Sequence, residues 1–160
     1  MSTQPLLDVR NLKKYFSTPK GMLHAVDDVT FTIEKGKTLG VVGESGCGKS
    51  TTGRAILRLL EPTSGQVLFE GQDVVKLSKE EMRRKRTEMQ IIFQDPFSSL
   101  NPRKTVSQII ADPLKINKII TNPAKQMERV RELIEIVGLA DRLINTYPHE
   151  LDGGRRQRIG

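Results

Sequence analysis

The sequence GESGCGKS at residues 43–50 matches the phosphate-binding pattern GxxxxGK[ST] at every fixed position. Glycines in such a loop let successive backbone amides converge on one point, where phosphate oxygens accept their hydrogens. Lys49 supplies a mobile cation for the β and γ phosphates, and the Ser50 hydroxyl supplies a ligand for Mg²⁺. A helix that starts here directs the positive end of its dipole at the anion. The stretch therefore predicts a site for the phosphates of a nucleoside triphosphate.

The residues on both sides of this loop have the pattern that the site requires. Thr38 to Val42 is a short apolar run, which predicts a buried strand that leads into the loop. Thr51 to Leu60 predicts an amphipathic helix that stops before Pro62. Cys47 offers only its backbone in this geometry, so we expect no redox or catalytic role for it. The predicted nucleotide-binding residues of this segment are Gly43, Glu44, Ser45, Gly46, Cys47, Gly48, Lys49, Ser50 and Thr51.

The first half of the chain is predicted to be rich in strands and the second half helical. In the first half, Ser78 and Glu81 form a capping-box pattern, which predicts a basic helix from Lys79 to about Arg86. In the second half, Asn122 followed by Pro123 predicts the start of a helix that ends at Gly138. The other predicted elements are strands at Leu6–Leu12, Ala25–Ile33, Gln66–Glu70 and Gln90–Phe93, a loop at Ser17–Met22, and a helix from about Val106 that ends before Pro113.

Composition narrows the class of protein. The 160 residues carry a formal net charge of +7 but only 4% aromatic residues, so a nucleic-acid partner is not expected. No apolar run approaches the roughly 18 residues that span a bilayer, and no secretory signal precedes Leu7. One cysteine and two histidines predict neither a disulfide nor a zinc site. These features predict a cytosolic protein.

Two further segments narrow the family. Ile91 to Pro96, IIFQDP, resembles the Q-loop of ABC ATPases, and Leu151 to Arg158, LDGGRRQR, resembles their signature motif LSGGQRQR. With GESGCGKST they occur in the order and at the spacing of that family. The segments SLNPRKTV and YPHEL look most like subunits of oligopeptide, dipeptide and nickel importers. The phosphate loop by itself leaves GTPases and kinases open, but we find neither a guanine-reading nor an acceptor-binding motif.

The resemblance implies an α/β fold: a P-loop NTPase core of the ABC ATPase type, with an N-terminal antiparallel β flank and a helical subdomain. It divides the chain into residues 1–95, the β flank and P-loop core, and residues 96–160, the helical subdomain up to the signature. It implies ATP and Mg²⁺ as ligands. The implied partners are transmembrane permease subunits, a second ATP-binding subunit and, indirectly, an extracytoplasmic solute-binding protein. The implied location is the cytoplasmic face of the cell membrane.

Individual positions receive roles from the same resemblance. Phe16 matches the aromatic residue that stacks on adenine, with Tyr15 as the fallback candidate. Gln94 matches the Q-loop residue that senses the γ-phosphate and Mg²⁺ and relays nucleotide state to the membrane subunits. The signature-like residues Leu151, Asp152, Gly153, Gly154 and Arg155 match the segment that contacts ATP bound by the opposite subunit.

The sequence departs from the family in two ways. Asp152 stands at the signature serine, where a carboxylate repels a triphosphate, and Arg155 offsets part of that charge. We therefore expect a weakened or altered clamp. The sequence also stops at Gly160, before the positions where the family has its Walker B aspartate, catalytic glutamate and switch histidine. We therefore expect incomplete hydrolytic machinery and a truncated domain. Two functions stay open: an ABC importer ATPase for peptides, or a non-hydrolysing nucleotide-binding remnant or interaction module.

Overall fold

The chain forms two compact units in the computed structural model, Met1–Gln90 and Ile91–Gly160. Residues 4–93 and 99–159 are described. Gln94, the predicted γ-phosphate sensor and Mg²⁺ ligand, lies outside the described residues. None of the described helices combines the length and apolar character needed to cross a membrane.

A four-stranded antiparallel sheet forms the frame of the first unit. Its strands are β1 (Leu7–Thr18), β2 (Gly21–Ile33), β3 (Ser64–Phe69) and β4 (Gln72–Asp73), in the order β2-β1-β3-β4. Because β1 lies between β2 and β3, its backbone has hydrogen-bond partners on both sides. The predicted antiparallel flank is therefore present.

The core of this unit lies between the sheet and the helix α1 (Lys49–Ile56). Val9, Leu12 and Val67 are fully buried in this core. A register shift between Val9 and Leu12 brings these two residues, three positions apart, into the same core. From α1, Ala55 joins them at 0% exposure. Burial of these apolar side chains fixes α1, and therefore the loop before it, against the sheet.

The predicted loop at Ser17–Met22 is wrong, because the two strands continue nearly to their connection. Ser17 pairs with Met22 and Thr18 with Gly21, which leaves Pro19 and Lys20 as the turn. The Thr18 hydroxyl also donates to the Gly21 carbonyl at 2.7 Å. Cross-strand pairing thus shortens the predicted six-residue loop to a two-residue turn at Pro19 and Lys20.

A β-bulge interrupts the β1–β2 ladder at Ala25. Lys14 pairs with Val26 and Tyr15 with His24, so the register skips Ala25. A bulged residue is free of the ladder, and the chain at that point can direct its backbone groups elsewhere. The bulge lies beside the start of α1, where it becomes relevant to the phosphate loop.

Two predicted strands do not form. The sheet of the described residues includes neither Thr38–Val42 nor Gln90–Phe93. Val42 is 96% exposed and Ile92 is 87% exposed, so neither run is buried. Apolar sequence favours burial, but a strand also requires a neighbour for its backbone amides and carbonyls.

Of the two helices in the first unit, one is shorter than predicted and the other begins where it was predicted. The predicted Thr51–Leu60 helix is wrong in length, because α1 ends at Ile56 and Arg58 adopts a left-handed backbone with φ 51°. The side chain of Arg58 donates to the Leu77 carbonyl at 2.6 Å. The basic helix α2 (Lys79–Lys85) begins as predicted at a capping box of Ser78 and Glu81.

The second unit is helical within its described residues. It contains α3 (Val106–Ile116), α4 (Pro123–Ile136) and α5 (Gly153–Gln157). The Asn122 cap and the first-turn proline of α4 are as predicted. The predicted end before Pro113 is wrong, since α3 accommodates this proline in its interior. The buried core residues of the unit are Val106, Ala111, Val130, Ile134, Leu139 and Leu151.

Candidate phosphate-binding site

The loop of residues 43–50 turns back on itself around the ammonium group of Lys49. Lys49 Nζ donates to the carbonyl of Gly43 at 2.8 Å and to that of Glu44 at 2.6 Å. The Cys47 amide donates to the Glu44 carbonyl at 3.3 Å, which closes a tight turn. The cation therefore lies over the loop, within reach of any anion that the loop amides bind.

Gly48 joins the loop to α1 with a left-handed backbone, φ 94°. A Cβ atom at this position would lie 2.1 Å from the carbonyl oxygen of Ala25, the bulged residue of β2. Only glycine permits both the positive φ and this close approach. The contact positions the N-terminus of α1 against the β1–β2 hairpin.

The N-terminus of α1 has no side-chain cap, and its first turn contains no acidic residue. The first amides of a helix lack acceptors within the helix, so they require side chains, water or a ligand. Four other described helices receive a cap from a side-chain oxygen: Ser78, Thr105, Asn122 and Asp152 cap α2, α3, α4 and α5. In α1 these uncapped amides begin at Lys49, directly after the glycine loop. Free amides at a helix N-terminus favour an anion.

Two other side chains of the loop were assigned from sequence. Ser50 is exposed at the second position of α1, as a hydroxyl ligand for Mg²⁺ must be. The Cys47 sulfur lies 3.5 Å from Lys49 Nζ and packs against Gly43, where a Cβ would approach it to 2.7 Å. The thiol thus supports the turn, and it also stands beside the cation.

The two aromatic candidates for base stacking have different surroundings. The Tyr15 ring stacks on His24 with ring centroids 3.9 Å apart, and its hydroxyl donates to Asp27. That hydrogen bond raises the pKa of Tyr15 and lowers the pKa of Asp27. Phe16 is half-buried, and Lys14 Nζ lies 4.9 Å from its ring centroid. Tyr15 is thus engaged within the protein, which favours Phe16.

The signature-like segment forms the start of α5 in the second unit. Asp152 Oδ1 accepts a hydrogen bond from the Arg155 amide at 2.8 Å, and Asp152 Oδ2 lies 3.4 Å from Arg155 Nε. Aspartate and serine are both good N-caps, so Asp152 fills the capping role that a serine would fill. The charge of Asp152, on which the predicted weakening of the clamp rests, does not indicate this capping role. Leu151 is buried in the core of the unit.

Two residues that contact the site or its neighbours, Ala25 and Lys14, were not predicted from the sequence. Ala25 gives no chemical signal, since it acts through a backbone carbonyl that a bulge places against Gly48. Lys14 could have been found, because it lies two positions before Phe16 and residues i and i+2 of a strand share a face.

Comparisons with known proteins show the family to which the chain belongs. The ABC transporter family profile matches residues 26–160. The oligopeptide transport ATP-binding protein OppF of Bacillus subtilis is 54% identical over 159 residues, which are 99% of this chain and 52% of that protein. A putative peptide import ATP-binding protein of Brucella ovis is 51% identical over 160 residues, 100% of this chain and 50% of that protein. The chain thus spans about half the length of these relatives.

Solved structures agree on the fold. The dimeric ATP-binding cassette MJ0796, solved in a post-hydrolysis state bound to ADP and Pi, matches with a TM-score of 0.82 and 25% identity. The match covers 96% of this chain and 66% of the cassette. A second dimeric structure of the same cassette gives a TM-score of 0.81. The predicted α/β P-loop class is confirmed, and the chain belongs to the ABC transporter family of nucleotide-binding domains.

Proposed function

We propose that residues 43–50 hold the phosphates of ATP, and that the chain is the nucleotide-binding part of a peptide importer's ATP-binding subunit. The observation that carries the proposal is the uncapped N-terminus of α1 behind a loop that wraps the Lys49 ammonium. Backbone amides, a helix dipole and a mobile cation then converge on one place. Each of these features favours a multiply charged anion.

The Lys49 contacts indicate how phosphates enter the site. Its ammonium donates to two neutral carbonyls, those of Gly43 and Glu44. An anionic phosphate oxygen attracts the ammonium by its full charge, which a neutral carbonyl lacks, so phosphate oxygens replace the carbonyls as acceptors.

Different residues are proposed to bind the metal ion and the adenine base. Mg²⁺ retains several waters and takes one or two protein ligands together with phosphate oxygens, so the single exposed hydroxyl of Ser50 fits it. The ion would neutralise charge on the phosphates. Phe16 supplies a ring face for adenine. Gln94 is proposed as a second Mg²⁺ ligand on its sequence alone.

The biological role rests on the named relatives. OppF of Bacillus subtilis is described as an oligopeptide transport protein, and the Brucella ovis relative as a putative peptide importer component. We infer peptide import at the cytoplasmic face of the membrane, with permease subunits and a solute-binding protein as further components. The dimeric state of the MJ0796 cassette supports a second ATP-binding subunit, which residues 151–155 would face.

Titration calorimetry of the purified chain with Mg-ATP tests the phosphate site. We expect Lys49→Ala to weaken ATP binding by at least about tenfold, since a hydrogen bond to a charged group contributes about 1.5–3 kcal/mol. Lys37→Ala is the matched control, because Lys37 is exposed and lies outside the loop. Equal affinities for the wild type and Lys49→Ala would refute the proposal.

A phosphate-release assay on the same samples separates the two functional alternatives. Turnover that disappears in Lys49→Ala supports an importer ATPase. Binding without turnover supports a nucleotide-binding chain that does not hydrolyse ATP without additional residues.

A further inference from the structure

The ring of Phe16 is covered on one side by a fixed cation. Lys14 and Phe16 are two positions apart on β1, and Lys14 Nζ lies 4.9 Å from the ring centroid. A distance below about 6 Å from the ring face gives a favourable cation–π interaction. The same ammonium donates to the Glu61 carbonyl at 2.8 Å, which holds it in place. The cation and the ring therefore form one preorganised unit.

The neighbouring aromatic residue does not compete with this unit. Tyr15 points to the opposite face of β1 and stacks on His24 across the ladder. Its hydroxyl is bound by Asp27, which Lys13 also approaches to 3.8 Å. Lys13 and Lys14 are thus adjacent lysines of one strand with different partners.

The Lys14 cation and the Phe16 ring are connected to the phosphate loop through a short part of β2. Phe16 pairs with Leu23, and two residues later the carbonyl of Ala25 contacts Gly48 at the start of α1. Leu23 is 55% exposed, so the pair presents apolar surface to solvent. A nucleotide whose phosphates are held at Gly48 and Lys49 finds this apolar surface nearby along the same hairpin.

We propose that Lys14 is a positioning residue for nucleobase recognition, which fixes the Phe16 ring and makes its other face selective for an electron-rich purine. A cation on one face draws π density towards itself, so the far face attracts an electron-rich ring more strongly. The fixed ring also loses less rotamer freedom on binding. The inference rests on the proposed nucleotide site, and it adds a determinant of base affinity.

The test compares a ligand that has a base with one that has none. Calorimetry on the full chain uses Mg-ATP and inorganic tripolyphosphate against wild type, Lys14→Met, Lys14→Arg and the control Lys13→Met. We expect Lys14→Met to weaken ATP binding about two- to fivefold and to leave tripolyphosphate unchanged; the energy of an exposed cation–π pair sets the upper limit, since the pair also exists without ligand. Lys14→Arg retains ATP affinity because it keeps the cation. Lys13→Met changes neither affinity.

A second background shows whether Lys14 acts through the ring. Phe16→Leu keeps an apolar side chain and removes the π face, so Lys14→Met should have no further effect on ATP affinity in that background. Thermal unfolding of each variant confirms that the compared proteins are folded.

Several outcomes would overturn the inference and leave the phosphate site standing. They are equal losses of ATP affinity in Lys13→Met and Lys14→Met, an equal loss of tripolyphosphate affinity in Lys14→Met, or an effect of Lys14→Met that persists with Phe16→Leu. Failure of the proposed function looks different, since Lys49→Ala would then bind both ligands as the wild type does.

Discussion

The sequence predicts strands at Leu6–Leu12 and at the apolar run Thr38–Val42, yet only the first forms one, as part of β1. β1 is paired on both sides and buries Val9 and Leu12 completely. Val42 is 96% exposed and has no ladder partner among the described residues. The difference shows that apolar character selects candidates for strands, whereas backbone hydrogen-bond partners decide which candidates form.

The phosphate loop contacts the paired strands of the β1–β2 hairpin. It follows the unpaired segment directly, but its geometry is held by Lys49 contacts within the loop and by the contact of Gly48 with Ala25 of β2. A strand before the loop is thus not needed for the loop to turn around Lys49. The site depends on its own glycines and on the hairpin.

The largest expected effect is the difference in unfolding free energy between a variant in β1 and a variant in the segment Thr38–Val42. Leu12→Ala leaves a cavity in the core and should lower the free energy of unfolding by about 2–5 kcal/mol. Val42→Ala should change it by less than about 0.5 kcal/mol, because the side chain is exposed. Urea unfolding followed by circular dichroism measures both. A loss in Val42→Ala as large as that in Leu12→Ala would mean that segment 38–42 is buried in solution.

The next effect tests the dependence of the loop on the paired hairpin. Gly48→Ala places a methyl group 2.1 Å from the Ala25 carbonyl oxygen and forces a left-handed alanine, which costs about 1–3 kcal/mol for the conformation alone. Gly46→Ala also has a positive φ, but its Cβ meets nothing within 4 Å. We expect Gly48→Ala to lose more stability and more Mg-ATP affinity than Gly46→Ala. Urea unfolding and calorimetry measure the two losses. Equal behaviour of the two variants would mean that the Ala25 contact is unimportant.

A smaller effect is expected from the side-chain cap at the N-terminus of α5. Asp152→Ala removes the acceptor of the Arg155 amide and should cost about 0.5–2 kcal/mol, whereas Asp152→Ser should restore most of it. Thermal unfolding compares the three proteins. If Asp152→Ser is as unstable as Asp152→Ala, the cap is not the reason for the aspartate, and its charge towards Arg155 becomes the better explanation.

Much of the fold and of the candidate site could be predicted because the signals are local. The spacing of glycines with Lys49 and the capping pairs Ser78–Glu81 and Asn122–Pro123 each act within a few residues. Strand formation at Thr38–Val42 could not be decided locally, since it depends on partners distant in sequence. The Ala25 contact was equally inaccessible, because a bulge changes register without a distinctive residue.

The smallest expected effect is a pH dependence at the exposed edge of the paired hairpin. The hydrogen bond from Tyr15 lowers the pKa of Asp27, and the same bond raises the pKa of Tyr15. A lowered carboxyl pKa contributes stability above its unfolded value, and this contribution is lost as the pH falls through the folded pKa. A raised phenol pKa contributes stability below its unfolded value, and this is lost as the pH rises through the folded pKa. The pair therefore stabilises the hairpin on a plateau between roughly pH 4 and pH 10, the ordinary carboxyl and phenol values.

Tyr15→Phe removes the hydroxyl and keeps the ring against His24. The difference in unfolding free energy between the wild type and Tyr15→Phe should be constant across the plateau and should shrink towards zero in more acidic solution, as Asp27 is protonated. Urea unfolding at several pH values between about 3 and 9 measures it around the ordinary carboxyl pKa. A difference that does not change with pH would show that Asp27 is not the acceptor. Because the pair is exposed, its contribution stays well below that of Leu12, which places the stability of the hairpin in its buried face.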